Sequence, residues 1–440
     1  MDAYNAVSVV GIFALLGFTW LISKDRRNMN IRLICWGIGF QMFVALFVFV
    51  IFPAFGEGWN PFLILNNLVV KVIDTAKAGP QFIFGRLGLG PGETNAQGET
   101  SLGFLLAFQA LPTIIFFSAL MSILYYCNVM PRIIHGFSFL FTKLMRVSGA
   151  ESLCVSSNIF VGVEASLTIR PHLKEMTRSE LCTILTGGMA TIASSMLAVY
   201  VISLKQQFPT IAGHLISASV LNAPAALVMS KILLPESETP KTLGETIPPH
   251  YDKEDSLFEA VINGANTGLQ LIFGIAALLI AVLGLVALVN LALAYVGSLF
   301  GMTETKLSLE LILGYIFYPF TLVMGVPVGD VKTIAQIIGR RTIETEVPCY
   351  YALAAAIKDG TITNPRSAII ATYALCGFAH VASMAIFIGG ISALVPEKAK
   401  VLAQVGFRAL LAATLACLLT GCVAGMFVTA AVKGSLLLGS

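Results

Sequence analysis

Apolar residues run almost unbroken along much of this chain, with polar residues clustered between the runs. Two runs open it, near 5–22 and 32–53, each close to the roughly 20 apolar residues a helix needs to cross a bilayer. Trp59 to Ala78 interleaves Asn66, Asn67, Lys71, Asp74 and Lys77 with apolar positions, a pattern that suits a helix lying at an interface. A Gly-rich polar loop follows to about Gly103, and Phe104 to Met130 reads as a third span broken by Pro112. The pattern then changes. Over 131–176 the sequence is interrupted by Pro131, Arg132, His135, Lys143, Arg146, Glu151, Asn158, Glu164, Arg170 and Pro171. Short helices that enter the membrane and turn back produce such interruptions. Spans near 180–203 and 212–233 come next, the first carrying a small, hydroxylated patch over Gly187–Ser195 that predicts local unwinding.

A charged segment, Pro235 to Glu259, separates the halves, and a long apolar run occupies about 262–300. The pattern then recurs. Residues 306–358 are broken by Pro319, Pro327, Asp330, Arg340, Arg341, Glu344, Glu346 and Pro348. A polar loop at Lys358–Arg366 leads to a span near 367–395, interrupted around Gly377, and a last span runs about 405–432. Each half reads as span, re-entrant polar segment, broken helix and closing span, a repeat of architecture rather than of residues. The expected fold is an all-α polytopic membrane protein with about eight transmembrane helices, two re-entrant helical hairpins and interfacial helices. The expected divisions are 1–130, 131–234, 235–305 and 306–440.

Composition agrees. Of 440 residues, 57% are hydrophobic and 12% charged, against about 25% charged in soluble domains. A scattered net charge of +3 argues against a nucleic-acid partner and leaves membrane lipid as the surroundings. Asp2 precedes the first run, and Lys24, Arg26 and Arg27 follow it. That polarity is opposite to a signal peptide and predicts a retained span with its N-terminus outside. The eight cysteines form no CxxC pair and the five histidines no HExxH; the cysteines read as small buried hydrophobes. The Gly88–Gly92 run lacks dinucleotide-binding spacing and reads as a loop.

Two carboxylates change the picture. Glu164 and Glu346 lie in the broken segments of the two halves, and a charged side chain at mid-membrane costs about 2.5–3.5 kcal/mol on insertion scales. Such residues face water-filled cavities, and a matched pair suggests a secondary transporter built from repeats. The plainer alternative is an internal ion pair, with Arg170, Arg340 and Arg341 as partners, and a solvated position for Glu344. Around Glu164, the Asn158 amide, a carbonyl exposed beside Gly162, the Thr191 hydroxyl and the Ile192 carbonyl offer hard oxygens of the kind that hold Na⁺ at broken helices. The plainer reading has Asn158 and Thr191 satisfying neighbouring backbone. Phe378, His380 and Ser383 share the break after Gly377, an aromatic face, a ring nitrogen and a hydroxyl suited to a polar, ring-bearing ligand. No nucleophile–base arrangement or continuous polar pore supports a membrane enzyme or a channel.

The chain resembles the concentrative nucleoside transporter family from about Gly103 to Val432, and more weakly over the first two spans. The residues that carry the resemblance are Glu164-Ala-Ser-Leu-Thr-Ile-Arg-Pro-His-Leu173, Thr186-Gly-Gly-Met-Ala-Thr-Ile-Ala193, Gly314-Tyr-Ile-Phe-Tyr-Pro-Phe320 with Met324-Gly-Val326, Ile370-Ala-Thr-Tyr-Ala-Leu-Cys-Gly-Phe-Ala379, Ile388-Gly-Gly390 and Arg408-Ala-Leu410. The resemblance implies a homotrimer whose protomers each carry an inverted-repeat transport domain on a scaffold, moving as an elevator. It implies sodium at Asn158, the Val161 carbonyl, Thr191 and the Ile192 carbonyl, with H⁺ as the other coupling ion the family uses. It also implies nucleoside contact through Val163, Glu164, Glu346, Phe378, His380 and Ser383. Two places depart from the family pattern. The first hairpin reads Gly162-Val163-Glu164-Ala165-Ser166 where the family has Gly-Gln-Thr/Ser-Glu-Ala-Pro. His380 stands where the family has Asn after Phe-Ala. The expectation is a Na⁺-coupled nucleoside importer of a bacterial inner membrane, or the same machine coupled to H⁺ or retuned to another polar, ring-bearing metabolite.

Overall fold

A computed structural model describes residues 2–55, 59–95, 98–251, 254–300 and 307–428. The described chain is helical, apart from two isolated bridges. Helices α1 (Ala3–Leu21) and α2 (Ile31–Leu46) open it. The Asn30 side chain starts α2 by accepting from the Leu33 N–H at 3.0 Å. α2 continues through a π turn, Phe47–Ile51, to Pro53, which cannot extend the ladder. The amphipathic α3 (Pro61–Ala76), capped by Asn60, is followed by α4 (Ala78–Phe84), the short α5 (Leu106–Gln109) and α6 (Thr113–Tyr126). Pro112 makes the predicted break between the last two.

The interrupted stretch resolves into two elements rather than one. α7 (Val129–Met145) is a separate amphipathic helix, ended by Arg146 in the left-handed conformation (φ 53°). The hairpin proper is α8 (Gly149–Asn158) with a returning 3₁₀ arm, Val163–Glu175. Pro171 lies within that arm and withholds one backbone donor. Then come α9 (Arg178–Ala190) and α10 (Ser194–Leu204), parted at Thr191–Ala193 inside the patch predicted to unwind, and α11 (Ile211–Leu233).

The 43-residue α12 (Leu257–Leu299) is about 65 Å long at 1.5 Å per residue, twice a hydrocarbon core. It crosses α6 where Gly264 and Gly268 let the backbones meet; a Cβ at Gly268 would sit 2.7 Å from the Ile115 Cα, the close approach small residues allow between membrane helices. The second half repeats the first: α13 (Leu309–Val323), the hairpin α14 (Val328–Arg341) and α15 (Glu346–Lys358), the broken pair α16 (Pro365–Leu375) and α17 (Val381–Leu394), and the closing α18 (Ala399–Phe427). The predicted end of the last span at 432 lies outside the described residues. By length and composition, seven helices among the described residues can cross a membrane. The loop at 24–32 and the segment after α11 share one end of the bundle, since Lys24 N donates to the Leu233 carbonyl and Asn28 to that of Glu236.

The core gathers α9, α10, α11, α16 and α18; Arg178–Leu204 and Ile211–Leu233 are largely buried, whereas α12 is largely exposed. Six of the eight cysteines are buried, and all eight are free.

Candidate functional site

Both hairpins turn at the centre of this core, and each begins its second arm with a glutamate. Glu164 stands in the first turn of the 3₁₀ arm and Glu346 opens α15. The two helix breaks lie beside them and against each other. A Cβ at Gly377 would come within 2.6 Å of the Ala190 carbonyl, so only glycine permits the approach. Cys417 of α18 lies between the breaks, its Sγ 3.6 Å from the Ala190 carbonyl and 3.4 Å from that of Cys376.

One cavity brings Val163, Glu164, Glu346, Phe378, His380 and Ser383 together. Glu346 is buried. Tyr200 donates its hydroxyl to Oε1 at 2.7 Å, and His380 Nε2 stands 3.1 Å from Oε2. Both oxygens of this carboxylate are therefore met from the protein, one by Tyr200 and one by His380, at the wall of the cavity. His380 is also the N-cap of α17. Its Nδ1 accepts from the Ser383 N–H at 3.1 Å, while Ser383 Oγ accepts from the His380 N–H at 3.3 Å. An imidazole nitrogen that accepts carries no proton, which assigns the ring proton to Nε2, facing Glu346. The Ser383 hydroxyl, with a single proton to donate, has the carbonyls of His380, at 2.7 Å, and Phe378 within reach as acceptors. It therefore holds the break open while lining the cavity.

The residues expected to hold sodium lie at the tip of the first hairpin and at the first helix break, whose neighbours Gly162, Val163 and Ala193 line this cavity. Asn158 ends α8 against the last turn of α9, its Nδ2 3.6 Å from where a Gly187 Cβ would be. Asn158 is buried, and its Oδ1 has no hydrogen-bond partner among the described residues, a loss of about 1–3 kcal/mol for a buried polar group unless something fills the place. Thr191 Oγ1 donates to the Gly187 carbonyl at 2.8 Å, which leaves its lone pairs turned away from that bond. Ser194 N donates to the Phe160 carbonyl at 2.8 Å, stitching the hairpin tip to the break and placing Val161 and Ile192 at the same junction. The Asn158 Oδ1 is thus the one polar atom of this junction left without a hydrogen-bond partner among the described residues.

The chain matches three family descriptions in order: "Na+ dependent nucleoside transporter N-terminus" over 10–87, "Nucleoside recognition" (Gate) over 107–207 and "Na+ dependent nucleoside transporter C-terminus" over 214–425. It is similar to solute carrier family 28 member 3 of Mus musculus, 37% identical over 96% of this chain and 59% of that protein. It is also similar to sodium/nucleoside cotransporter 1 of Rattus norvegicus, 35% identical over 96% of this chain and 63% of that one. The chain thus spans about three fifths of the length of these relatives. Its fold matches CNTnw in an inward-facing substrate-bound state with a TM-score of 0.84 and 31% identity, covering 96% of this chain and 98% of that one. It belongs to the concentrative, sodium-dependent nucleoside transporter family. This is a family of integral, multi-pass membrane transporters and not of enzymes.

In this chain the alternatives read from the sequence divide. Arg340 pairs with Glu344 at 2.9 Å, and Glu344 is 3% exposed rather than solvated. Arg341 turns away to the Ala374 carbonyl at 2.5 Å. Neither arginine pairs with Glu346. Glu164 borders a second cavity with Arg170, Tyr125 and His250, so its carboxylate stands between the central cavity and one nearer the segment after α11. Three contributors were missed. Tyr200 carried no sequence signal beyond being a tyrosine in an apolar run. Ser195 lay inside the hydroxylated patch. The wall formed by Leu271, Ile275, Leu278 and Leu279 of α12 is indistinguishable in sequence from any lipid-facing stretch.

Proposed function

We propose that this protein imports nucleosides by coupling them to Na⁺, with alternating access as an elevator-like movement of the two repeats against a scaffold that includes α12. The single observation that carries the reading is the adjacency of two unlike sites. One is a cavity with a carboxylate from each hairpin tip; the other is the junction of the first hairpin tip with the first break, where the buried Asn158 Oδ1 has no hydrogen-bond partner among the described residues. In this reading Asn158, the Val161 carbonyl, Thr191 and the Ile192 carbonyl hold sodium. Glu346, oriented by Tyr200 and His380, accepts from the hydroxyls of a sugar, and Phe378 offers a face to a ring. Glu164 accepts from the base side, where Val163 replaces polar contacts with an apolar one. The adjacency makes coupling physical, because sodium fixes the hairpin tip that carries Val163 and Glu164.

H⁺ coupling through His380 is disfavoured by its cap. Its Nδ1 is already committed to accepting from the Ser383 N–H at 3.1 Å. A substrate other than a nucleoside is the second reading, and Val163 and His380 are what favour it. We further propose a homotrimer in a bacterial inner membrane, which rests on the family resemblance.

The test is thermal stabilisation of the purified protein by nucleosides, nucleobases and sugars, in Na⁺ and in choline. A bound ligand raises stability by mass action. Stabilisation by a nucleoside that requires Na⁺ is expected. Stabilisation by Na⁺ alone, with every nucleoside silent, would assign the pocket to a different solute.

A further inference from the structure

The tip of the first hairpin parts two cavities. Gly162, Val163 and Glu164 line the central one, while Val161 and Glu164 line the second. The second is the larger, about 230 Å³ against about 130 Å³, so size does not bar a solute that the centre holds. Its walls come from three places. Tyr125 and Tyr126 end α6, Thr168 and Arg170 belong to the 3₁₀ arm, and His250, Tyr251 and Glu254 belong to the segment between α11 and α12. That segment is tied to both other walls. His250 N donates to the Thr168 carbonyl at 2.9 Å, and the Tyr251 hydroxyl donates to Asn128 Oδ1, just past α6, at 3.2 Å. The cavity therefore lies on the seam between the first hairpin and α6, at the end of the bundle that Lys24, Arg26 and Arg27 mark as cytoplasmic.

Its lining is selective. Glu164 and Arg170 both face it, yet no ion pair joins them. Among the described residues, no side chain hydrogen-bonds or ion-pairs with either group. Acceptors at one point and a fork of donors at another are thus left to whatever enters. A ligand with hydroxyls at one end, ring acceptors at the other and a flat face between them matches that spread. Its hydroxyls donate to Glu164, its ring acceptors take the Arg170 donors, and its face lies on tyrosine. A phosphate does not match. Two carboxylates, Glu164 and Glu254, stand against one guanidinium and one imidazole, so the lining has no net positive charge to hold an anion.

We propose that this second cavity is a release subsite for the uncharged nucleoside, bound by Arg170 and Tyr126, and that it refuses nucleoside monophosphates. Glu164 belongs to both cavities and passes the ligand from one to the other. The inference rests on the nucleoside reading given above.

Equilibrium binding of labelled uridine and adenosine to the purified full-length protein tests it, in Na⁺ and in choline. Two components are expected in Na⁺, a tight one that choline abolishes and one at least about tenfold weaker that choline leaves. Arg170→Ala and Tyr126→Leu should each remove the weaker component and keep the tight one. Glu346→Gln should do the reverse. Arg170→Lys, which keeps a donor in place, should retain the weaker component. Uridine monophosphate should displace neither. A single component in the wild type would overturn the subsite while leaving the nucleoside reading intact. So would a weaker component that survives in Arg170→Ala, whose side chain is exposed and whose loss leaves the core untouched. Displacement by uridine monophosphate as effective as by uridine would overturn the selectivity. No binding of either nucleoside, in Na⁺ or in choline, would overturn the nucleoside reading itself.

Discussion

Asn158 and His380 carry the sharpest consequences at the scale of single residues. Removing the Asn158 amide takes away an uncommitted oxygen and no structural hydrogen bond beyond a weak contact to Cys154 Sγ at 3.7 Å. Asn158→Ala is therefore expected to raise the Na⁺ concentration for half-maximal uptake by about tenfold or more, the order of one lost ligand contact at ~1.4 kcal/mol, while the ranking among nucleosides stays as it was. A ranking that changes with no shift in Na⁺ activation would assign Asn158 to the substrate instead. Tyr200→Phe removes one donor from Glu346. A hydrogen bond to a charged group contributes about 1.5–3 kcal/mol, so KM for the preferred nucleoside should rise at least about tenfold. Na⁺ titrations of the same variant should be nearly unmoved. His380→Asn keeps a capping side chain and removes the ring. Uptake should retain its Na⁺ dependence and its pH profile between about pH 5.5 and 8, the range in which histidines titrate. A pH dependence present in the wild type and absent in this variant would show that His380 does carry a proton.

Among elements, the breaks matter more than the helices they interrupt. Gly377 is where the second break passes the first, and a methyl group there would press on the Ala190 carbonyl from 2.6 Å. Gly377→Ala is expected to lower the melting temperature and abolish Na⁺-driven uptake together, because relief requires the two breaks to separate. A variant that transports normally would show that their close approach is dispensable. The breaks were legible in the sequence because small and hydroxylated residues interrupt apolar runs there, at Thr191 and at Gly377. Hairpin boundaries were less so. Residues 129–145 and 149–175 share the same half-apolar texture, and what parts them is Arg146 in a left-handed turn, which the residue type does not announce. In the same way, Glu344 at a charged edge reads as solvated, and only the fold around Arg340 buries it.

Over the whole molecule, the repeat explains which site residues could be found in advance. All six expected substrate residues line one cavity, since each sits at a hairpin tip or a break and the repeat brings those points to the centre. Tyr200 and the α12 wall come from continuous helices, whose side chains enter the site through tertiary packing that leaves no local trace. The most direct measurement is uptake of labelled uridine and adenosine into proteoliposomes with Na⁺ outside and choline inside, compared with choline on both sides. Accumulation above the outside concentration that needs the inward Na⁺ gradient, and collapses when Na⁺ is equalised, is the predicted result. Uptake that only equilibrates, or that follows a proton gradient with Na⁺ absent, would contradict it.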